Sequence, residues 1–265
     1  IQGVATEGGA DAETLEEAER RIPERLRHRN RAVTEADYRS LAADTPGAVL
    51  GRVEVMPRFM PRQRRFNVPG VVSVMVLPRK ASFYAPHPRP DQPLIQKVHD
   101  HLSARRPLAT ELYVIGCEYI PIAVGAGITV KAGFGHDQVN YDVRQAVQAY
   151  LAPLPPYGPA GEGWPLGRMI RDRELEVVVS RVKGVNTVSS VNLFRRSNKQ
   201  WRPVARVQQC EAVQIDLEAW QLPELLAVVV GTDGITPDNV TGAAGGASEG
   251  GAGGGVALPV VPEIC

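Results

Sequence analysis

Apolar residues recur along this chain with two periods, and the places where one gives way to the other mark its elements. Leu15, Ala18, Ile22 and Leu26 keep helical spacing behind a capping box made by Thr14 and Glu17. Pro23 predicts a kink or a second short helix in that stretch. A further helix starts at Glu35: Thr34 caps it, Asp37 reaches back, and Val33 and Tyr38 occupy the two positions of a hydrophobic staple. The turn Asp44-Thr45-Pro46-Gly47 ends it. Val49 to Met56 reads as a strand. The basic loop Pro57 to Arg65 follows, with Phe59 and Met60 expected at the surface of a flexible or partner-bound segment.

Val71 to Leu77 is continuously apolar, which predicts a strand buried on both faces. The Pro-rich connection Pro86 to Pro93 leads to a helix bearing Leu94, Ile95, Val98 and Leu102, then to a strand over Leu108 to Ile115. Tyr119 to Phe134 reads as extended. Val139, Val143, Ala146, Val147, Tyr150 and Leu151 make the best helical stripe in the sequence. After the Pro/Gly loop Pro153 to Pro165, Asp172 caps a helix carrying Leu175, Val178, Val179 and Val182. Gly184 stands where a C-terminal cap belongs, and Val185 to Leu193 returns as a strand. This order, with one additional helix, is that of the split, ferredoxin-like βαβ unit, and it predicts an α+β sandwich with helices on one face of a sheet.

Beyond it, Val213, Ile215, Leu217 and Ala219 alternate with polar residues, Pro223 breaks the pattern, and Leu225 to Val230 forms a short strand. The composition then changes. Gly245 to Gly255 cannot bury apolar surface and predicts a flexible linker. Val256 to Val261 is apolar again, which suits either docking as an added strand or a disordered terminus. The predicted organisation is a helical segment with a strand and basic loop (1–65), a ferredoxin-like domain (66–195), additional strands (196–231) and a Gly-rich tail with an apolar docking segment (232–265).

Composition narrows the functional classes. A net charge of +1, 43% hydrophobic and 22% charged residues are those of an ordinary globular chain, with no global field for nucleic acid or membrane. No apolar run approaches the roughly 20 residues that span a bilayer. Cys117, Cys210 and Cys265 are too scattered for a disulfide framework or a zinc pattern.

The search for an active site is nearly empty. Gly133-Phe134-Gly135 lies between a strand and a helix, but Gln138 replaces the third glycine of a dinucleotide loop, so a tight turn explains it better. His99 and His101 flank Asp100 on a helix and face different directions. No catalytic, cofactor or metal residues are expected. Two features remain. Arg20, Arg21, Arg25, Arg27, Arg29 and Arg31, interleaved with Glu16, Glu17, Glu19 and Glu24, form either a solvated face or an arginine-rich contact surface. Trp164, in a Gly/Pro frame, must pack against its own domain or a neighbour.

Gly8 to Leu15, Arg29 to Tyr38 and Gly163 to Arg168, taken in order, carry a family resemblance. The chain resembles the baseplate J-like proteins, the baseplate assembly proteins of contractile phage tails and phage-tail-like contractile injection systems. The resemblance runs from about Gly8 to Val230, and the closing Val260 to Cys265 is similar too. Members extend further at the N-terminus and Ile1 is not an initiator Met, so the chain is expected to be the C-terminal part of a larger protein.

The resemblance implies a structural wedge component, not an enzyme, which needs no cofactor. It would assemble in the cytoplasm and then reside in the particle. Its implied partners are a second wedge protein, hub and spike, sheath-proximal proteins and further copies of itself, with no nucleic acid and no membrane span. Residues expected at such contacts are Arg27, Arg29, Arg31, Tyr38, Arg64, Arg65, Trp164, Arg168, Val260 and Val261. Phage tail and injection particle are not separated by sequence. The readings from another class are a small-ligand-binding or an RNA-binding α+β domain, although the central strands lack the aromatics that stack bases.

Overall fold

The capping box sets the first part of the structure. In the computed structural model, which describes residues 14–79, 87–197, 200–205, 212–231, 234–240 and 258–259, Thr34 Oγ1 accepts the Asp37 amide at 3.2 Å. Asp37 Oδ2 accepts the Thr34 and Val33 amides at 2.8 and 3.2 Å. This starts α2 (Glu35–Ala43) after α1 (Leu15–His28). The helical assignment of α1 runs through Pro23 without a second start. The expected staple does not close: Val33 is exposed while Tyr38 turns inward. Thr34→Ala is expected to cost about 1 kcal/mol, read by urea unfolding.

Burial would raise the Asp37 carboxyl, but hydrogen bonds from Thr34 and Val33, with the nearby Arg27 charge, outweigh it and hold it below the ordinary value. A depressed folded-state carboxylate stabilises above its unfolded pKa, and the contribution is lost as pH falls through the folded one. Asp37→Asn is therefore expected to flatten acid unfolding below about pH 4, measured as unfolding free energy against pH.

Strands β1 (Leu50–Pro57) and β2 (Val71–Pro78) pair antiparallel, and β3 (Glu111–Ile115) returns parallel to β2 through α3 (Gln92–Ser103). On one face Val53, Val55, Val74, Val76, Leu112 and Val114 meet Tyr38, Leu41 and Ala42 of α2 and Val98 and Leu102 of α3. On the other face of β2, Ser73, Met75 and Leu77 are also buried, as the unbroken apolar run predicts. The basic loop differs from expectation. Phe59 is buried, stacks on Phe66 at 4.6 Å and accepts the Ser73 hydroxyl through its carbonyl at 2.7 Å. Met60 and Arg65 bridge across the turn. Two aromatics anchor this segment, and Phe59, expected at the surface, belongs to the interior.

The second sheet is built on β4 (Glu118–Val130). Antiparallel to it lies β6 (Val185–Ser197), followed outward by β7 (Gln200–Pro203); parallel to it lies β9 (Gln221–Gly231), edged by β10 (Leu258–Pro259). Helices α4 (His136–Leu151) and α5 (Asp172–Ser180) cover one face, burying Val139, Val143, Val147, Leu151, Leu175 and Val179. A small ladder joins β5 (Ile170–Arg171) to β8 (Gln214–Ile215). Asp172 is the first residue of α5 rather than its cap.

The fold is thus mixed α+β with five helices among the described residues, in two compact units: 1–79 with 88–116, and 80–87 with 117–265. The strands that sequence order places in one ferredoxin-like sheet divide between the two. The edges of β4 are filled by β6 and by β9, some 100 residues downstream, and among the described residues β3 pairs with β2 alone. Pro223 does not end β9. It stands opposite Ile120 of β4, and the β10 pairing on the other edge is reached only at Ala227 and Val228, so the strand continues through it.

Composition starts the flexible tail at 232, but 234–240 lies across the sheet face opposite α4 and α5. The Gly234 amide donates to Ile128 O at 3.0 Å, the hydroxyls of Ser190 and Thr236 meet at 2.6 Å, and Asn192 Nδ2 donates to Pro237 O at 3.2 Å. Val240 is buried with Ala123, Phe194, Ala227 and Val229.

Candidate interaction surface

The turn after α1 holds three of the expected contact residues. His28 is buried, and its Nδ1 accepts the Asn30 amide at 3.0 Å; the Arg31 amide closes onto His28 O at 2.9 Å. Arg29 and Asn30 are left-handed, with φ of +46° and +60°, a conformation that costs most residues and asparagine least. Arg105, just past α3, secures the turn. Its Nε donates to Asn30 Oδ1 at 2.6 Å, its Nη1 to His101 O at 2.6 Å, and its carbonyl accepts the Ala32 amide at 2.9 Å. Arg27, Arg29 and Arg31 are thereby presented to solvent from a fixed backbone. Sequence reasoning missed Asn30 and Arg105, which build the platform, because they stand 75 residues apart.

Beside these arginines is an apolar surface. Leu15, Ile22 and Leu26 of α1 are 77%, 50% and 71% exposed. The helical stripe was legible; its lack of cover within the described residues was not.

The other expected contact residues divide. Arg64 and Arg65 are exposed on the turn between Phe59 and Phe66, on a different element from the Arg27–Arg31 turn. Tyr38 is 2% exposed and belongs to the core, where burial pushes its phenol pKa up. Trp164 is fully buried in its own unit: its Nε1 donates to Arg168 O at 3.2 Å and its ring meets Tyr150 edge-on at 5.6 Å. Arg168 lies 5.1 Å from the Trp164 ring centre and pairs with Glu174 at 3.0 Å; Glu174 also accepts the Tyr150 hydroxyl at 3.1 Å. Burial and this bond to Glu174 both raise the Tyr150 pKa. Neither Tyr38 nor Trp164 offers a free surface. Val260 and Val261 lie outside the described residues.

Chemistry adds little. Among the described residues no group of three or more His, Cys, Asp or Glu side chains could hold a metal, and no helix is long and apolar enough to cross a membrane. Gly133 takes φ +89° at the start of α4, as a tight turn requires. On α4, Arg144 is half-buried, its Nε and Nη2 have no hydrogen-bond partner among the described residues, and burial lowers its pKa. Leaving these donors unsatisfied opposes folding, so Arg144→Met is expected to raise the unfolding free energy by about 1 kcal/mol, read by chemical denaturation.

No protein-family model and no curated protein matches the chain. Among solved structures, a chain in the cryo-EM structure of the anti-feeding prophage (AFP) baseplate, 6-fold symmetrised, matches with a TM-score of 0.53 over 80% of this chain, at 18% sequence identity. The likeness is to a baseplate chain. The match covers 42% of that neighbour, so this chain spans under half its length. At such identity what is shared is the fold.

Proposed function

We propose that this chain is a structural subunit of the baseplate of a contractile injection machine, of the wedge type. The observation that carries this reading is the fold likeness to the AFP baseplate chain over 80% of the residues. The motif order from Gly8 to Arg168 supports it independently. Arg27, Arg29 and Arg31, fixed on a rigid turn beside an apolar helix face, suit docking to other subunits, because arginine is enriched at such contacts. In this role the subunit binds neighbouring baseplate proteins and helps pass the trigger for sheath contraction, which requires interfaces with two alternative packings rather than a catalytic pocket.

The test is negative-stain imaging of particles from cells with and without the gene. Loss of assembled sheathed particles in the deletion, restored by the wild-type gene, supports the role; normal particles in the deletion overturn it. Re-expression of a chain with Arg27, Arg29 and Arg31 changed to Ser then asks whether the arginine turn is used. These side chains are exposed and only Arg27 bears on the fold, through its charge near Asp37, so the isolated variant should unfold within about 0.5 kcal/mol of wild type while failing to restore particles.

A further inference from the structure

We propose that the β6–β7 hairpin is a docking edge for an acidic, extended segment of another protein, which adds a strand along β7 and is held by Arg195, Arg196 and Arg202. The inference does not rest on the baseplate reading and survives or fails without it. From Val177 to Cys210 the chain carries seven Arg or Lys and no Asp or Glu. Arg195 and Arg202 stand directly opposite one another in the antiparallel ladder, and Arg196 stands opposite Trp201. Opposed residues share a face, so two exposed cations meet on one side of the hairpin, about 5 Å apart at Cβ, and repel. On the other side the Arg196 guanidinium lies 5.8 Å from the Trp201 ring centre. Among the described residues none of the three arginines forms an ion pair. The acidic groups of neighbouring elements are used otherwise or make no pair with them. Glu174 and Glu176 of α5 hold Arg168 and Arg173, Glu118 of β4 accepts from Trp220 and Gln221, and Asp216, Glu218 and Asp238 join none of the three.

Sheet order and the alternation of faces select the occupant. β7 is the outermost strand, and among the described residues no strand pairs its outer side. A strand added there sends successive side chains to opposite faces, so adjacent acidic residues reach Arg195 and Arg202 on one side and Arg196 on the other. A flat anionic surface, such as duplex nucleic acid or a membrane, would meet one side only. The same edge of a second copy would set the three arginines against themselves, which opposes self-pairing. Arginine takes a carboxylate through two parallel hydrogen bonds, so each pairing is directional as well as attractive. β7 has four residues and ends at Pro203, which has no amide to offer. The contact is therefore short, about 13 Å, and charge supplies most of its strength.

The test is fluorescence anisotropy of a labelled deca-glutamate peptide titrated with the full chain in about 0.1 M salt, where the Debye length is about 10 Å. Arg195→Ser with Arg202→Ser clears one side of the hairpin and Arg196→Ser the other, and each variant is expected to bind about fivefold more weakly. Arg181→Ser with Lys183→Ser removes two charges before the far end of β6 and should leave binding within about twofold of wild type. The urea midpoint of the Arg195 and Arg202 variant should not fall, because a like-charge pair is relieved. A lower midpoint makes these arginines structural and overturns the proposal. Loss confined to one side of the hairpin means docking on a flat surface, and equal loss in the Arg181 and Lys183 variant means nonspecific attraction; either overturns it. Equal binding of a deca-glutamate with every backbone amide N-methylated, which cannot pair as a strand, does the same. Tighter binding of single-stranded DNA of the same length assigns the edge to nucleic acid and overturns the proposal, as does failure of deca-glutamate to bind.

Discussion

Replacing Trp164 with alanine is expected to lower the unfolding free energy of the isolated chain by about 3–5 kcal/mol. The ring is wholly buried, edge-on to Tyr150 of α4 and with the Arg168 guanidinium 5.1 Å from its centre. Its backbone amide donates to Ala152 O at 2.8 Å, which ties the loop to the end of α4. The frame around it cannot move in to fill the space. Gly158 has φ +86°, and a Cβ there would strike the backbone of Gly163, so the loop is already packed main chain on main chain. Truncation therefore leaves a cavity rather than a collapsed site. Trp164→Phe retains a ring but loses the bond to Arg168 O, and should cost about 1–2 kcal/mol beyond any repacking. Urea unfolding of both variants decides the role of the residue. A loss under about 1 kcal/mol for the alanine variant would mean that the ring is not a core residue, and would return Trp164 to the set of partner contacts.

The same residue illustrates what sequence conveyed. A tryptophan framed by Gly161, Gly163 and Pro165 declares that it is packed. Whether its neighbour is Tyr150 or another subunit depends on where a loop folds back, and local pattern carries no such information. Helices α2, α3, α4 and α5 were legible because caps and 3.6-residue stripes are local. The stripe of α1 was equally legible, but a stripe states only that a face is apolar. Strand order was the main difference. Glu118–Val130 follows Glu111–Ile115 after two residues, which reads as continuation of one sheet, yet its partners are Val185–Ser197 and Gln221–Gly231. Pairing of that range is decided by complementarity across the sheet and not by neighbouring residues.

The arginines show the same division between local and distant. In sequence the Arg20–Arg31 group reads either as a solvated face or as a contact surface, and nothing local separates the two. In the structure Arg105 binds Asn30 and the end of α3, Arg52 pairs with Glu54 at 2.7 Å, and Arg168 closes the Trp164 network. These are structural. Arg27, Arg29 and Arg31 point outward because Arg105 fixes the turn beneath them, so one arginine creates the display of three others. The candidate surface is consequently a property of the folded unit, readable in sequence only as excess charge.

Gly127→Val is expected to release the 234–240 segment from the sheet and to cost about 3–5 kcal/mol, combining lost apolar burial, lost hydrogen bonds and overpacking. On the face opposite α4 and α5, β4 presents Ala123, Gly125 and Gly127, in register with Ala227, Val229 and Gly231 of β9 and with Phe194, Asn192 and Ser190 of β6. The absent side chains leave a trough that the backbone of 235–237 fills. A Cβ at Gly127 would lie 2.5 Å from Thr236 Oγ1 and 2.8 Å from its amide nitrogen, one at Gly125 would lie 2.9 Å from Pro237 O, and one at Gly231 would strike Ile235 O. Valine at 127 cannot be accommodated by rotating a flexible side chain, because main chain stands in the way. Displacing the segment takes with it the Thr236–Ser190 and Asn192–Pro237 hydrogen bonds and the burial of Val240. Gly133→Ala is the matched control: its φ is +89°, but nothing lies within 4 Å of the added carbon, so only the backbone penalty of about 1 kcal/mol applies. The measurement is limited proteolysis followed by mass spectrometry, alongside urea unfolding. Gly127→Val should be cut within 234–240 well before the rest of the sheet opens, while Gly133→Ala should be cut there no faster than wild type. Equal protection of the segment in all three proteins would mean that the trough does not hold it.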